Sequence, residues 1–204
     1  MYQLRTILVL VFLSAGVISW AASPQVEKLE STVVAALDIV YSDCCSELTL
    51  DEKQVKVREA IESNYDLSVV IRRAIGRNWT KLKASEQGQV MDLVKQLIVK
   101  AYVKGLDGKN RPTVTFGKVV EVSEKRMEIA SEIELDGKVY NVLYRMGLME
   151  SGWQIYDIVA EDISVVSNYR QQFDDHFRKG NGAELITKLE ELLKKEDLDE
   201  EIKL

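Results

Sequence analysis

Apolar residues in the first half of the chain recur at spacings of three and four, the period of an amphipathic helix. The pattern predicts four helices: one opened by Pro24, one behind the capping box of residues 49–52, one capped by Asp66, and one running from Ser85 to the turn at residues 107–108. Their apolar stripes are Val26, Leu29, Val33, Leu37 and Val40; Val57, Ala60 and Ile61; Leu67, Val70, Ile71, Ala74, Ile75 and Trp79; and Val90, Leu93, Val94, Leu97, Ile98, Ala101 and Tyr102.

Gly76 interrupts the apolar stripe of the third predicted helix, directly after Ile75. A glycine in a helix interior costs about 1 kcal/mol relative to alanine. We therefore expect another helix or a ligand to approach the backbone closely at this position.

The period changes to two at residue 112, which predicts strands at residues 112–120 and 126–135. Asp136-Gly137 then predicts a type I′ hairpin, because both turn positions need positive φ. This turn sets the register between the second strand and the third. The predicted pairs are Leu135–Lys138, Ile133–Tyr140, Ser131–Val142, Ile129–Tyr144 and Met127–Met146 on the inner face, and Glu128–Arg145 on the outer face.

A fourth strand is predicted from Trp153 to an acidic turn at residues 161–162. The preceding loop leaves the phase of this strand open. Either Trp153 and Ile155 face the covered side of the sheet, or Tyr156 and Ile158 do.

Two helices close the chain. Ser164 leads the first, whose stripe is Val166, Tyr169, Phe173 and Phe177, and Gly180 ends it. The last helix carries Leu185, Ile186, Leu189, Leu192 and Leu193. The predicted fold class is therefore α+β, an antiparallel meander covered by helices on one face.

Residues 1–21 have the pattern of a cleaved signal peptide, with Arg5 in the positive region and small residues at Ser19 and Ala21. The apolar run is short for a membrane span, although an uncleaved anchor stays open. We expect an exported protein with one domain over residues 22–204, ending in a flexible charged tail from about residue 195. Without Arg5 the formal charge moves from −6 to −7, which argues against a nucleic-acid or anionic-membrane partner.

The sequence offers little for catalysis or metal binding. His176 is the only histidine, and we expect it at a surface or boundary. Asp157, Glu161 and Asp162 are better explained as a strand-end residue and helix-start charges than as paired catalytic acids. Cys44 and Cys45 are adjacent, so an internal bridge would be strained, and free or intermolecularly paired thiols are favoured.

What remains is a large set of apolar residues on the inner sheet face and on the helices that cover it. The candidates for its wall are Val70, Ile71, Ile75, Trp79, Leu93, Leu97, Tyr102, Met127, Ile129, Ile133, Tyr140, Val142, Tyr144, Met146, Ile158, Val166, Tyr169 and Phe173. Pattern alone favours a closed core, because a core and an apolar pocket have the same sequence signature. The opposed Met127 and Met146 and the gap at Gly76 are two indications of a cavity. Ser131 is the one polar member of the inward row and could meet a head group or a water.

Two stretches resemble a known family. The first is Tyr65-Asp66-Leu67 followed by Ile75-Gly76-Arg77 and Trp79, and the second contains Trp153, Tyr156, Asp157, Ser164, Asn168, Tyr169, Arg170, Phe173, Gly180 and Gly182. Together with the hairpin, they resemble the MlaC-type periplasmic lipid-binding proteins, the toluene-tolerance auxiliary transport components. The resemblance extends over about residues 25–194.

This resemblance implies helices on a twisted sheet, similar to the nuclear-transport-factor-two or cystatin architecture, with an apolar cavity between the layers. It implies a periplasmic monomer that holds phospholipid acyl chains, needs no cofactor and is not an enzyme. The implied partners are an outer-membrane lipoprotein complex and an inner-membrane ABC transporter of the MCE class, in a system for outer-membrane lipid asymmetry. Three alternatives stay open: a hopanoid carrier, an adaptor with a filled core, and a lipid hydrolase.

Overall fold

A computed structural model of the protein describes residues 23–195. The first half folds into four helices, α1 (Pro24–Tyr41), α2 (Leu50–Glu62), α3 (Leu67–Ile75) and α4 (Ala84–Leu106). A short 3₁₀ turn, Asp43–Cys45, separates α1 from α2. The predicted signal peptide and nearly all of the predicted tail lie outside the described residues.

The predicted capping signals are confirmed at α2 and α3. The Thr49 amide donates to Glu52 Oε2 at 2.8 Å, and Thr49 Oγ1 accepts from the Glu52 amide at 3.3 Å. Asp66 Oδ1 accepts from the Ser68 amide at 2.9 Å. These bonds satisfy backbone donors that would otherwise lack a partner at each helix start.

The third helix is shorter than its apolar pattern predicted. α3 ends at Ile75, and the chain continues as a 3₁₀ helix, Gly76–Lys81. Gly76 is the C-terminal cap with φ +56°, so the expectation of an interior glycine was wrong. The expected close approach does occur: a Cβ at Gly76 would lie 3.4 Å from Arg170 Nε.

The second half builds a five-stranded antiparallel meander in chain order. Its strands are β1 (Thr113–Ser123), β2 (Arg126–Leu135), β3 (Lys138–Met149), β4 (Gly152–Ala160) and β5 (Ile163–Ser164). The two-residue β5 was not predicted, since its sequence follows an acidic turn and leads directly into a helix. The predicted α+β meander with helices on one face is confirmed.

The register predicted for β2 and β3 is confirmed at every pair, from Leu135–Lys138 to Met127–Met146. Asp136 and Gly137 have φ values of +50° and +76°, as a type I′ turn requires. A hairpin with this two-residue turn has only one register that keeps its apolar residues on one face.

β4 contains a β-bulge, which neither predicted phase anticipated. Arg145 pairs with Asp157 while Met146 pairs with Ile155, so Tyr156 is an extra residue in the ladder. Trp153, Ile155 and Ile158 all pack on the inner cluster as a result. The outer face keeps Asp157, whose Oδ2 lies 3.2 Å from Arg145 Nη1, beside the predicted Arg145–Glu128 pair at 3.0 Å.

The chain ends with α5 (Val165–Lys179) and α6 (Gly182–Lys194). Ser164 Oγ accepts from the Ser167 amide at 3.0 Å and so caps α5 as predicted. α5 packs against α3, and α6 packs against α4. One buried cluster contains residues of α3, α4, α5 and α6. A second lies between α1 and the sheet, and a third lies between α1, α2 and α4.

Within residues 23–195, no helix is both long enough and apolar enough to traverse a bilayer.

Candidate functional site

An apolar cavity of about 350 Å³ lies between the helices and the inner face of the sheet. α1, α3 and α4, with Ile61 of α2, form its helical walls, and residues of β1 to β4 form its floor. Its lining residues are Leu29, Thr32, Val33, Ala36, Leu37, Ile61, Tyr65, Asp66, Leu67, Val70, Ile98, Val99, Tyr102, Leu106, Pro112, Val114, Ile133, Val142, Tyr144, Ile155 and Ile158. The volume falls within the range of about 300–1,000 Å³ that is typical of small-molecule sites.

A smaller apolar pocket of about 120 Å³ lies between α3, α4 and α5. Its lining residues are Leu67, Val70, Ile71, Ala74, Val94, Leu97, Ile98, Ile158, Val165, Val166, Tyr169, Phe173 and Leu189. Four of these, Leu67, Val70, Ile98 and Ile158, also line the larger cavity. The two spaces therefore adjoin each other at these four side chains.

The inner face of β3 shows where the larger cavity opens. Met146 is 0% exposed and Tyr144 is 8% exposed, but Val142 is half-buried and Tyr140 is 38% exposed. These residues share one face at successive steps toward the Asp136–Gly137 hairpin. The helices therefore cover the sheet around Tyr144 and Met146 and leave it more open toward the hairpin.

Most polar atoms on the cavity wall have partners. Thr32 Oγ1 donates to the Lys28 carbonyl at 2.8 Å and accepts from Asn64 at 2.9 Å. Asp66 caps α3. The Tyr65 hydroxyl, by contrast, is buried without a hydrogen-bond partner among the described residues, and burial raises the pKa of Tyr65 to about 12.

Ser131 and Tyr144 bring further hydroxyl groups to the inner face. Burial raises the pKa of Tyr144, and the nearby Ser131 hydroxyl offsets part of that rise. The two hydroxyls nevertheless miss hydrogen-bond geometry, and Ser131 Oγ stays unpaired within residues 23–195. Burial also raises the pKa of Tyr102. All of these phenols are neutral at physiological pH, so the wall carries no phenolate charge.

Comparison with protein families decides the relationship. The family model described as "MlaC protein" matches residues 31–191. The chain belongs to the MlaC family. The resemblance found in the sequence is thereby confirmed. No curated protein matches the chain significantly.

Among solved structures, the chain is similar to a phospholipid-binding protein from Ralstonia solanacearum, which was determined in complex with a phospholipid. The two chains share 21% sequence identity and superpose with a TM-score of 0.67. The alignment covers 81% of this chain and 94% of the other. At this level of identity the likeness shows a common fold.

The structure divides the predicted wall residues of this MlaC-family chain into three groups. The first group lines the larger cavity and consists of Val70, Tyr102, Ile133, Val142, Tyr144 and Ile158. The second group lines the smaller pocket and adds Ile71, Leu97, Val166, Tyr169 and Phe173. The third group lines neither space and consists of Ile75, Trp79, Leu93, Met127, Ile129, Tyr140 and Met146.

Several residues of the third group lie outside both spaces because they are buried in closed parts of the core or lie beyond the covered sheet. Ile75, Ile129 and Met146 are 0% exposed in closed parts of the core. The opposed Met127 and Met146 therefore indicated packing, not a cavity. Tyr140 lies beyond the covered part of the sheet, where it is 38% exposed.

α1 contributes to the cavity wall, which was not predicted from the sequence. Leu29, Val33 and Leu37 lie on the apolar stripe that the pattern predicted, but the pattern did not show what the stripe would face. Ile98 and Leu67 were likewise identified as apolar helix positions without being placed in the wall. Sequence periodicity gives the apolar side of a helix, whereas the partner of that side depends on tertiary packing.

The remaining chemical candidates have structural roles. His176 is buried, which corrects the expected surface or boundary position. Its Nε2 lies 3.0 Å from the Asn181 carbonyl, and its ring packs edge-on against Phe177, so it joins the end of α5 to the start of α6. Asp157 accepts from the Val166 amide at 3.2 Å and from Ser164 Oγ at 2.8 Å.

Cys44 and Cys45 are free thiols in the structure, as the sequence favoured, with 3.2 Å between their sulfur atoms. The hydrogen bond with Cys45 is the main reason that the pKa of Cys44 is raised. In residues 23–195, no group of three or more His, Cys, Asp or Glu side chains could hold a metal ion.

Proposed function

We propose that this MlaC-family protein is a lipid carrier that binds acyl chains in the cavity between its helices and its sheet. The observation that carries the proposal is the apolar cavity itself, about 350 Å³ in volume and open at the hairpin end of the sheet. Exposing an acyl chain to water costs about 0.8 kcal/mol per CH₂ group. A lipid therefore crosses an aqueous compartment only inside such a cover.

Phospholipid is the proposed cargo. The fold is shared with a Ralstonia solanacearum protein that was determined with a phospholipid bound, and both chains are covered over most of their length. A polar head group would lie toward the hairpin, near half-buried Val142 and exposed Tyr140, because Tyr144 and Met146 farther along β3 are buried.

Two adjoining apolar spaces suit a lipid with two chains. The larger cavity and the 120 Å³ pocket have Leu67, Val70, Ile98 and Ile158 in common in their walls. Rotamer changes of these four side chains would join the spaces without any change in the backbone. The first chain then occupies the larger cavity, and the second enters between α3, α4 and α5.

The proposed setting is the periplasm, with export directed by residues 1–21. There the carrier would exchange lipid with an outer-membrane lipoprotein complex and an inner-membrane MCE-class ABC transporter. Binding and release require no bond to be made or broken, which fits the structural roles of His176 and Asp157. We therefore propose transport of lipid and not its hydrolysis.

The test is native mass spectrometry of protein purified from the exporting cell, followed by extraction and lipid analysis. Stoichiometric lipid is expected, and its mass distinguishes phospholipid from hopanoid. Val142→Trp, which fills the cavity, should remove the lipid and leave a folded protein. Leu143→Trp is the matched control, because Leu143 lies on the outer face of the same strand. This variant should keep its lipid.

A protein that stays lipid-free after incubation with phospholipid vesicles would overturn the carrier proposal. Equal loss of lipid in the two tryptophan variants would place the lipid somewhere other than the cavity.

A further inference from the structure

Residues 67–81 concentrate positive charge on one surface segment. They include Arg72, Arg73, Arg77 and Lys81 and contain no Asp or Glu, in a chain whose formal net charge is −6. All four residues are exposed. Cations in the last turn of a helix are favoured by the helix dipole, but that alone does not require four of them in a segment that contains no Asp or Glu.

Two of these guanidinium groups are held against aromatic rings. Arg72 Cζ lies 4.1 Å from the centroid of the Trp79 ring, and Arg73 Cζ lies 4.6 Å from that of Tyr156. Such stacking restricts the side chain while the N–H edge of the guanidinium can still donate. Less conformational entropy is then lost when a partner binds.

Neither Arg72 nor Arg73 has a carboxylate within ion-pair distance in the described part of the chain. Asp174 on α5 is already engaged, because it accepts from Asn78 at 2.6 Å and pairs with Arg77 at 3.1 Å. The hydrogen bond from Asn78 is the main reason that the pKa of Asp174 is lowered, and the pairing with Arg77 lowers it further. The two stacked arginines are thus available to an acidic group from outside the chain.

Arg170, the neighbouring cation on α5, has a different role. Its Nε donates to the Arg73 carbonyl at 3.1 Å, at the end of α3. The same side chain passes close to Gly76. Arg170 therefore closes the end of α3 and attaches it to α5.

We propose that Arg72 and Arg73, together with Arg77 and Lys81, form a docking face for an acidic surface on a protein partner of the carrier. A carboxylate and a guanidinium form paired, charge-assisted hydrogen bonds. Arginine and aromatic residues are also enriched at the energetic centres of protein interfaces. The proposal rests on the proposed function, because the partner would be a membrane complex that exchanges lipid with this protein.

A protein surface fits this face better than a membrane does. The large apolar side chains that are exposed in the described chain lie in α1, α2, β1, β3 and β5, and none lies in residues 67–81 or in α5. The face therefore has no apolar side chain to insert between lipid head groups. The net negative charge of the whole chain also opposes its approach to an anionic bilayer.

The docking face continues directly from the proposed lipid site. Val70 lines both the cavity and the smaller pocket, and Ile71, directly before Arg72, lines the smaller pocket. A partner bound to Arg72 and Arg73 would rest against the helix that forms one cavity wall. Docking and lipid exchange would then involve the same element.

The test compares two double variants for binding to the immobilised periplasmic domain of the MCE-class transporter subunit from the same genome. Arg72→Glu with Arg73→Glu should weaken binding about tenfold or more, mostly through slower association. The control, Lys56→Glu with Arg126→Glu, changes the net charge equally at exposed sites on α2 and β2 and should stay within about twofold of wild type. Wild-type binding should weaken as salt is raised, and Arg72→Gln with Arg73→Gln should lose less than the reversal.

If both double variants lost binding equally, the cause would be the change in net charge, and the proposed docking face would be overturned. The docking face would also be overturned if the Arg72/Arg73 reversal bound the partner as well as wild type does, or if wild type did not bind it. The same holds if the reversal weakened binding only to phosphatidylglycerol vesicles. Native mass spectra of each variant record lipid separately. A reversal that keeps its lipid and loses the partner supports the docking face, whereas a wild type without lipid fails the carrier proposal by itself.

Discussion

Replacing Val142 by phenylalanine is expected to stabilise the lipid-free protein, whereas the same change at Val90 is expected to destabilise it. Val142 is half-buried on the inner face of β3 and lines the 350 Å³ cavity. Val90 is 0% exposed in the cluster formed by α3 to α6. The two positions receive the same new atoms in opposite surroundings.

The magnitude follows from the atoms added. Phenylalanine has four more side-chain carbons than valine, and about 0.8 kcal/mol for each gives a limit of about 3 kcal/mol. Partial exposure of Val142 and a compact unfolded state reduce the expected gain to about 1–2 kcal/mol. Val90 is fully buried and lines neither apolar space, so the ring would overpack the cluster, which costs about 1–3 kcal/mol.

The measurement is urea unfolding of delipidated wild type and both variants, followed by circular dichroism. Lipid has to be removed first, because a ligand that binds only the folded state raises the apparent stability. An unchanged slope with a shifted midpoint identifies a change in stability and not in the unfolded state. The midpoint should rise for Val142→Phe and fall for Val90→Phe.

Destabilisation of similar size at both positions would refute the reasoning. It would mean that the inner sheet face is as tightly filled as the helical cluster. The protein would then fit an adaptor with a filled core better than a lipid carrier.

Three further predictions concern other positions. Tyr65→Phe should leave the stability unchanged or raise it by about 1 kcal/mol, because it removes an unpaired buried hydroxyl, and a clear loss in urea unfolding would reveal a missing partner. Gly76→Ala should cost about 1–3 kcal/mol, since φ is +56° there, and an unchanged melting temperature would contradict the assigned cap. The third prediction concerns Glu62. Burial by itself would raise the pKa of its carboxyl group, but hydrogen bonds from Lys95 and Arg58 outweigh that effect and lower the pKa. The wild type should therefore be more stable than Glu62→Gln, with the full difference above about pH 4.5. This difference should disappear as the pH falls through the lowered pKa of folded Glu62. A stability difference that does not change with pH would contradict the prediction.

Features governed by neighbouring residues could be predicted from the sequence. The Asp136–Gly137 turn and the alternation on each side determined the hairpin register, and every predicted pair is present. The capping box of Thr49 and Glu52 likewise located the start of α2. Such signals act over a few residues, so the sequence contains all of their participants.

Features governed by distant segments required the tertiary structure. The β-bulge at Tyr156 brings Trp153, Ile155 and Ile158 to one face, which no simple alternation predicts. The positive φ of Gly76 belongs to a helix end that Arg170 closes from α5.

The cavity depends on tertiary structure in the same way. The apolar stripe of α1 and the inner row of β3 are both legible in the sequence, yet a closed core and a cavity share that pattern. Sequence by itself determined which residues avoid water. Whether they meet one another or leave space for a ligand depends on where α1, α3 and α4 rest on the sheet, because side chains of fixed length fill a gap only when the layers that carry them lie close enough together.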